Sequence, residues 1–399
     1  MAVDYVHKET PTMTLNISQK PDPILRKTLT SINAKPYQQD FSLPGMFYTD
    51  PLWMQAECEE LFARDWVCVG RVEELSKRGD YFCFDHIGEP VLLVHGQDGV
   101  IRAMSNVCRH RATVIASGSG NTRKFMCPYH HWAYDTSGQL LNAPMFESSP
   151  RFDLEKCRLP QLKLEIWQGF IFISLLANPK PLAKQLLPLQ KWIKNYHLEE
   201  MSLRYLADEV WEVNWKCLRE NFMEEYHLTP LHKDTLHKVN PTHLCLHLTP
   251  GKLHFSYQVG FATRVSDQHI GHADLSEDEH NTCVMFAIPP GLTVGIGSDY
   301  SSFLCMRLAT ATSVRVKMGL IFHGDSWSEQ SVKSAVEPFK HTMDEDKEVQ
   351  LRVQQGLASR FHQPGPLAAQ DMEGTIWDFY QYLSNNKGSV KKSAIKSTS

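Results

Sequence analysis

The sequence predicts an α+β chain of two domains, an antiparallel β domain followed by a domain in which helices flank a second antiparallel sheet. Three observations lead there. At 399 residues and 42% hydrophobic content, the chain has the length and composition of two ordinary globular domains. Between residues 66 and 176 short apolar stretches are separated by turn signals, and between 245 and 323 apolar and polar residues alternate around turns. Stretches with helical spacing stand beside these regions, at 51–62, 182–196, 329–355 and 376–383.

Residues 1–45 read as an irregular N-terminal arm, polar and dotted with Pro11, Pro21, Pro23 and Pro36. A helix is expected from Pro51. Asp50 supplies an N-cap, proline suits the first helical position, and Leu52, Met54, Cys58, Leu61 and Phe62 recur at helical spacing. This helix leads the first domain, residues 46–178, whose strands are expected at 66–70, 80–85, 90–94, 101–105 and 169–175. Many short strands with regular turns suggest a small barrel or sandwich. Asn178-Pro-Lys-Pro181 reads as the junction. The second domain, 179–385, opens with a helix at 182–196 and a strand at 205–213, then carries the alternating strands, a long helix and an aromatic C-terminal helix. Residues 386–399 contain four lysines and no acid, and read as a disordered tail.

Composition excludes several function classes. A net charge of −4 leaves no basic footprint for nucleic acid. The longest apolar run, 169–177, is far too short for a membrane span, and no signal-peptide pattern opens the chain, so a soluble cytoplasmic protein is expected. Ten cysteines spread over so long a chain do not suggest a disulfide scaffold. Only Cys108 and Cys127 have a histidine at metal-ligand spacing; the others read as small buried hydrophobes.

Those two cysteines carry the first chemistry. Cys108-Arg-His110 and Cys127-Pro-Tyr-His130 form two thiolate–imidazole pairs, sixteen residues apart. Zinc accepts such a set. A [2Fe–2S] cluster with two thiolates on one iron and two imidazoles on the other asks for it more specifically. Extended through Arg111 and through His131-Trp132-Ala-Tyr134-Asp135 to Gly138, the stretch resembles the Rieske domain of the Rieske non-heme iron oxygenases. Ala112 and His131 depart from the family pattern, in which Ala112 is usually Gly and the place of His131 is often Gly or Gln. The resemblance makes Cys108, His110, Cys127 and His130 the cluster ligands.

A second motif follows Asn214-Trp215-Lys216. Glu224 and His227 are three residues apart, which places them on one helical face, and Pro230 offers a disruption that returns His232 to the same point. Two histidines and a carboxylate make the facial triad of non-heme Fe(II) oxygenases. By spacing alone, His237 and His243 compete. The segment is similar to the iron-binding segment of the same family, which implies His227 and His232 as ligands and Glu224 as the acid bridging the two metal centres across a subunit boundary. Glutamate at that place resembles the oxygenases of quaternary ammonium compounds such as carnitine and betaine, where many ring-hydroxylating members have Asp. The third ligand should come from the cluster Asp344, Glu345, Asp346. Asp346 shares a helical face with Val349 and Val353, and Glu345-Asp346 before Gln354 and Gly356 resembles the family's late signature, whose Asp is a ligand.

The resemblance spans about residues 45 to 385. It implies a helix-grip, START-like catalytic domain in the terminal oxygenase (alpha) subunit of a homotrimer. It also implies electrons drawn from NAD(P)H by a separate reductase, with or without a ferredoxin, and O2 used to hydroxylate or demethylate a small substrate. Phe255, Tyr257, Phe261, Phe286, Tyr300 and Phe303 are pocket candidates, and an aromatic cage suits a quaternary ammonium substrate. An aromatic ring or carboxylate hydroxylase is the alternative, with Arg307 and Arg315 as anchors. An electron carrier with a vestigial iron site and a zinc-stabilised binding module are alternatives of other classes. His269, His272 and His280 lie in a polar loop that reads as solvated surface.

Overall fold

The computed structural model describes residues 23–32, 37, 41–146, 152–262 and 271–385. The tail expected at 386–399, all of the arm before residue 23 and His269 lie outside them. Within the arm a helix forms at Pro23–Ile32, contrary to the irregular reading. Leu29 is buried, and its carbonyl accepts the Ser384 hydroxyl at 2.6 Å, so this helix docks on the C-terminal helix Gln370–Asn385. A partner over 350 residues away was not legible in the local pattern.

The helix expected at Pro51 forms as Pro51–Glu57 and continues as a wider turn over Cys58–Phe62, capped by Asp50 accepting the Leu52 N–H at 2.8 Å. It packs on the second domain through a buried ionic hub. Glu57 accepts from Lys216 Nζ at 2.7 Å, from Trp53 Nε1 at 2.9 Å and from Trp215 Nε1 at 2.9 Å. The Asn-Trp-Lys opening thereby gets a structural reason. Asn214 caps the helix Trp215–Asn221 by accepting the Lys216 N–H, Trp215 fills the core, and Lys216 neutralises Glu57.

The first domain contains three small antiparallel sheets. One orders Ile101–Ser105, Glu89–His95, Asp80–His86 and Ser119–Asn121; another, Lys124–Met126, Ala133–Asp135 and Leu140–Asn142; the third, Val67–Arg71, Phe170–Ser174 and Lys163–Trp167. The second domain is built on seven antiparallel strands in the order Ser202–Trp211, Ser313–Phe322, Tyr300–Thr310, Leu292–Ile296, Thr282–Ile288, Phe255–Gly260 and Cys245–Leu248.

The faces of this sheet have different neighbours. Directly paired residues share a face. Phe286, Val294, Phe303 and Gly319 are aligned across four strands, and Phe286 and Phe303 meet Trp167 and Phe170 of the first domain at ring distances of 6.1 and 5.4 Å. Tyr257, Met285, Gly295, Ser302 and Leu320 are aligned on the other face. There Leu320 packs near Val336 of the long helix Glu329–Leu357, and Phe255 meets Phe379 of the C-terminal helix. Among the described residues no helix is long and apolar enough to cross a membrane.

Candidate metal centres

The first centre is two loops of the same construction. In one, Cys108 N–H donates to Thr113 O and Ala112 N–H to Cys108 O; in the other, Cys127 N–H donates to Trp132 O and His131 N–H to Cys127 O. Each loop turns back through a left-handed residue, Ala112 at φ 56° and His131 at φ 56°. These are the two family departures noted in the sequence. Both loops need a positive φ that glycine adopts without strain. Cys108 and Cys127 are buried, His110 is half-buried and His130 exposed, so the paired side chains stand at the domain surface. The His110 and His130 rings lie 4.6 Å apart.

Two residues of the motif that were given no role, Trp132 and Tyr134, support them together with Phe146, which the sequence did not single out. Trp132 stacks on His110 at 4.9 Å with an interplanar angle of 8°, and Phe146 closes on both rings. The Tyr134 hydroxyl accepts the Arg109 N–H at 3.1 Å and lies 3.4 Å from Cys108 Sγ. His110 Nδ1 is buried with no partner among the described residues. An orphaned imidazole nitrogen two residues along the chain from a buried thiol, its ring against the second loop's histidine, fits a cluster that would take it as a ligand.

The second centre lies between the helix-facing side of the large sheet and the long helix. His227 and His232 do not lie along one continuous helix. The helix Trp215–Asn221 ends early, and the pair brackets a single turn, Leu228–Leu231, with His227 at its N-cap and His232 at its C-cap. Pro230 sits inside that turn, so His232 returns because the helix is short. His237 and His243 are outside the set: the ligand atoms of His227, His232 and Asp346 lie within 4.8 Å of one another. His232 Nε2 is 3.1 Å and His227 Nε2 3.7 Å from Asp346 Oδ1.

The outer nitrogens are held by carboxylates. Glu224 binds His227 Nδ1, and Glu345 Oε2 is 2.8 Å from His232 Nδ1 and accepts the Thr235 hydroxyl at 2.9 Å. Such contacts fix the imidazoles and leave both Nε2 atoms directed at one point. Asn221 Nδ2 donates to Asp346 Oδ1 at 3.0 Å and is itself held by Gln350. Burial works against charge on His227, but Glu224 and then Asp346 outweigh it and raise its pKa; His232 is raised against burial by Asp346 and Glu345. Acids thus surround two imidazoles at a place that favours positive charge. The donor set fits a divalent iron with open positions.

Asp346 is buried and Asp344 exposed, but Asp346 does not share its buried face with Val349 and Val353 as the spacing predicts. The buried stripe of the long helix runs Met343, Asp346, Gln350, Gln354, while Val353 is exposed. The stripe is polar because Gln354 accepts the Asn214 N–H and Gln350 holds Asn221, which an apolar count could not show.

The pocket candidates divide by face. Phe286 and Phe303 point toward the first domain, away from the metal set, a correction that follows from strand register. Phe255 packs on Phe379, Tyr300 stacks on Phe322 at 5.3 Å, and Phe261 is half-buried beyond the strand end. Tyr257 is buried on the helix side, where Glu225, Glu224 and Asp346 all act on its phenol. Arg307 and Arg315 also leave the list of anchors. Asp208 takes Arg315 at 2.7 Å and Arg307 at 3.4 Å, and Arg307 lies over Phe84 of the first domain.

Comparison with known proteins agrees with this architecture. Residues 65–160 match the Rieske [2Fe-2S] domain and residues 194–386 the ring hydroxylating alpha subunit catalytic domain. The carnitine monooxygenase oxygenase subunit of Escherichia coli is 36% identical over 49% of this chain and 53% of its own length, so the chain spans about half of that relative. The Acinetobacter baumannii subunit of the same name is 29% identical over 80% of this chain and 86% of its own. The glycine betaine monooxygenase oxygenase subunit of Pseudomonas aeruginosa is 30% identical over 56% and 52%. Among solved structures, a quaternary ammonium Rieske monooxygenase superposes with TM-score 0.76 at 24% identity, covering 88% of this chain and 96% of that one. Naphthalene 1,2-dioxygenase from Rhodococcus gives 0.77 at 19% identity over 92% and 98%. Enzymes of different substrates share the fold, so the fold does not choose among them.

Proposed function

The chain belongs to the Rieske oxygenase alpha subunits, and from that premise we propose that it is the terminal oxygenase of a multicomponent system acting on a quaternary ammonium compound of the betaine, carnitine or choline class. The observation that carries the oxygenase reading is the convergence of His227, His232 and Asp346, with a carboxylate behind each imidazole. A vestigial site would have no reason to keep that outer layer. The bound groups would supply electron delivery at Cys108, His110, Cys127 and His130, and dioxygen activation for hydroxylation or demethylation at His227, His232 and Asp346.

The chain's own residues do the rest. Glu224 and Glu345 fix the two imidazoles, Asn221 orients Asp346, and Tyr257 presents an aromatic surface beside them. The substrate class is supported by the relatives' names and by the engagement of Arg307 and Arg315 elsewhere, which leaves the aromatic carboxylate alternative without its proposed anchors. A reductase drawing on NAD(P)H, with or without a ferredoxin, is the electron source. Glu224 reaches a cluster histidine of a neighbouring copy in a homotrimer; it is partly exposed, with the exposed Tyr226 two residues on. Ten unpaired cysteines suit a cytoplasmic setting.

Anaerobic single turnover tests the reading. The cluster is reduced, candidate compounds are added, oxygen is admitted, and cluster reoxidation is followed beside product mass. Reoxidation triggered by a betaine-type compound, with an oxygenated or demethylated product, is expected. Reoxidation triggered only by aromatic acids would overturn the substrate class and keep the oxygenase.

A further inference from the structure

Of the three histidines expected on a solvated loop, His272 is half-buried, and its ring lies against His197 with centroids 3.7 Å apart. His197 joins two short turns, Lys194–Tyr196 and Leu198–Glu200. The Glu200 N–H donates to His197 O at 2.9 Å, so these two side chains, three residues apart in a tight turn, stand on one face. The Glu200 carboxylate lies between the imidazoles: Oε1 is 3.7 Å from His197 Nδ1, and Oε2 is 3.9 Å from His272 Nε2. One ligand atom from each of His197, Glu200 and His272 lies within 4.8 Å of the others, as in the set at His227, His232 and Asp346.

Contacts of this length are not hydrogen bonds. Atoms that each reach one ion at about 2 Å stand about 3–3.5 Å apart, so a small contraction around an ion closes the set. Ion pairing alone would need both imidazoles protonated, two like charges on rings in contact; one bound ion supplies the positive charge without that repulsion. Asp274 does for this set what Glu224 and Glu345 do for the other. Its Oδ2 is 2.8 Å from His197 Nε2 and 3.6 Å from His272 Nδ1, behind the nitrogens that face Glu200. His272 Nδ1 accepts the Asp274 N–H at 3.1 Å; with an ion on Nε2 it would carry the proton and turn to Oδ2. Glu199 Oε1, 3.8 Å from His197 Nδ1, is a further donor.

The two segments are held together by contacts outside the set. Asn195 Nδ2 donates to both Glu279 carboxylate oxygens at 3.0 Å, and the Tyr196 hydroxyl donates to Glu279 O at 3.2 Å. Leu198 and Leu275, one from each segment, are buried. A Cβ on Gly271 would stand 2.2 Å from Ser298 O, so the loop is pressed onto its neighbour just before His272. His323, with its ring 5.4 Å from that of His272, keeps a buried Nδ1 without a partner among the described residues.

We propose that His197, Glu200 and His272 bind a zinc-type divalent ion, with Asp274 orienting the imidazoles. The ion staples the turn that leads into Ser202–Trp211 to the segment that leads into Thr282–Ile288. Imidazole and carboxylate donors suit zinc, and none of these residues belongs to either centre described above.

The test uses the holoenzyme, with cluster and iron loaded so that their ligands are taken, and zinc alone as the probe. Zinc bound at equilibrium dialysis is counted per chain, iron is measured in the same samples so that zinc replacing iron is not counted, and hydrogen exchange is followed with and without zinc. One added zinc per chain is expected, with slower exchange over residues 197–201 and 272–280. Asp274→Asn should weaken the binding about tenfold and His272→Ala more, while His280→Gln, a histidine of the same segment outside the set, leaves it unchanged. Exchange elsewhere in the chain checks that His272→Ala is folded; where it is not, Glu200→Gln takes its place with the same expected loss. Zinc held equally by wild type and variant, or held without slower exchange in the two segments, is an adventitious ion only and overturns the site. A wild type that takes up no added zinc overturns it as well.

Discussion

At the scale of single residues, Ala112 and His131 hold conformations that cost an L-residue about 1–2 kcal/mol, set against the greater chain entropy that glycine loses on folding. Ala112→Gly is expected to stabilise the first domain by roughly 0.5–1 kcal/mol. Chemical denaturation followed by the visible absorbance of the cluster measures it, and a destabilised variant would show that the turn is not strained. Tyr134→Phe should lower the cluster potential, because a hydroxyl beside Cys108 Sγ disperses charge on the sulfur; protein-film voltammetry reads the shift. His86 gives a pH prediction. Burial, opposed by its contact with the Phe62 carbonyl and aided by Arg307, lowers its pKa to about 4. The unfolded chain takes up this proton near pH 6.5 and the folded one only near about 4, so the unfolded state binds more protons between these values. Stability contributed by neutral His86 is present above about pH 6.5 and is lost as pH falls through that window, by up to about 3 kcal/mol. His86→Phe should flatten this part of a urea-denaturation pH profile.

At the scale of elements, the leading helix is held by the hub at Glu57. Lys216→Met strands a buried carboxylate and is expected to cost about 3–5 kcal/mol, whereas pairing it with Glu57→Gln should recover much of the loss; denaturation midpoints of the single and double variants decide. What was legible here was the periodic and the local. The N-cap at Asp50, the turn at Gly138 and most strand positions follow from residues next to one another in the chain. The short helix between His227 and His232 was not legible, because spacing alone does not tell one turn from three. Nor was the polar stripe of the long helix: Gln350 and Gln354 are buried for partners more than a hundred residues away. Glu345 could have been found, since it directly precedes the chosen Asp346, but adjacent helical residues point apart, and its reach to His232 depends on the fold.

At the scale of the whole molecule, the α+β architecture with its two metal-binding motifs was legible because each motif is local and their order is fixed by the chain. Which face of the large sheet met which domain was not, since alternation defines two faces without naming their neighbours. The proposed assembly yields the last prediction: if Glu224 bridges subunits, Glu224→Gln should keep both metals while slowing single-turnover cluster reoxidation about tenfold or more. Unchanged rates in a trimer of normal mass by light scattering would count against the bridge. The two-faced sheet also has an evolutionary consequence. Under the function proposed above, successive positions along Phe255–Gly260 and Thr282–Ile288 would answer to different selection, one register to the molecule being oxidised and the other to the seam between domains. A lineage could therefore change its diet by altering every second residue of these strands, and its sequence record would carry a two-residue beat of drift and constancy.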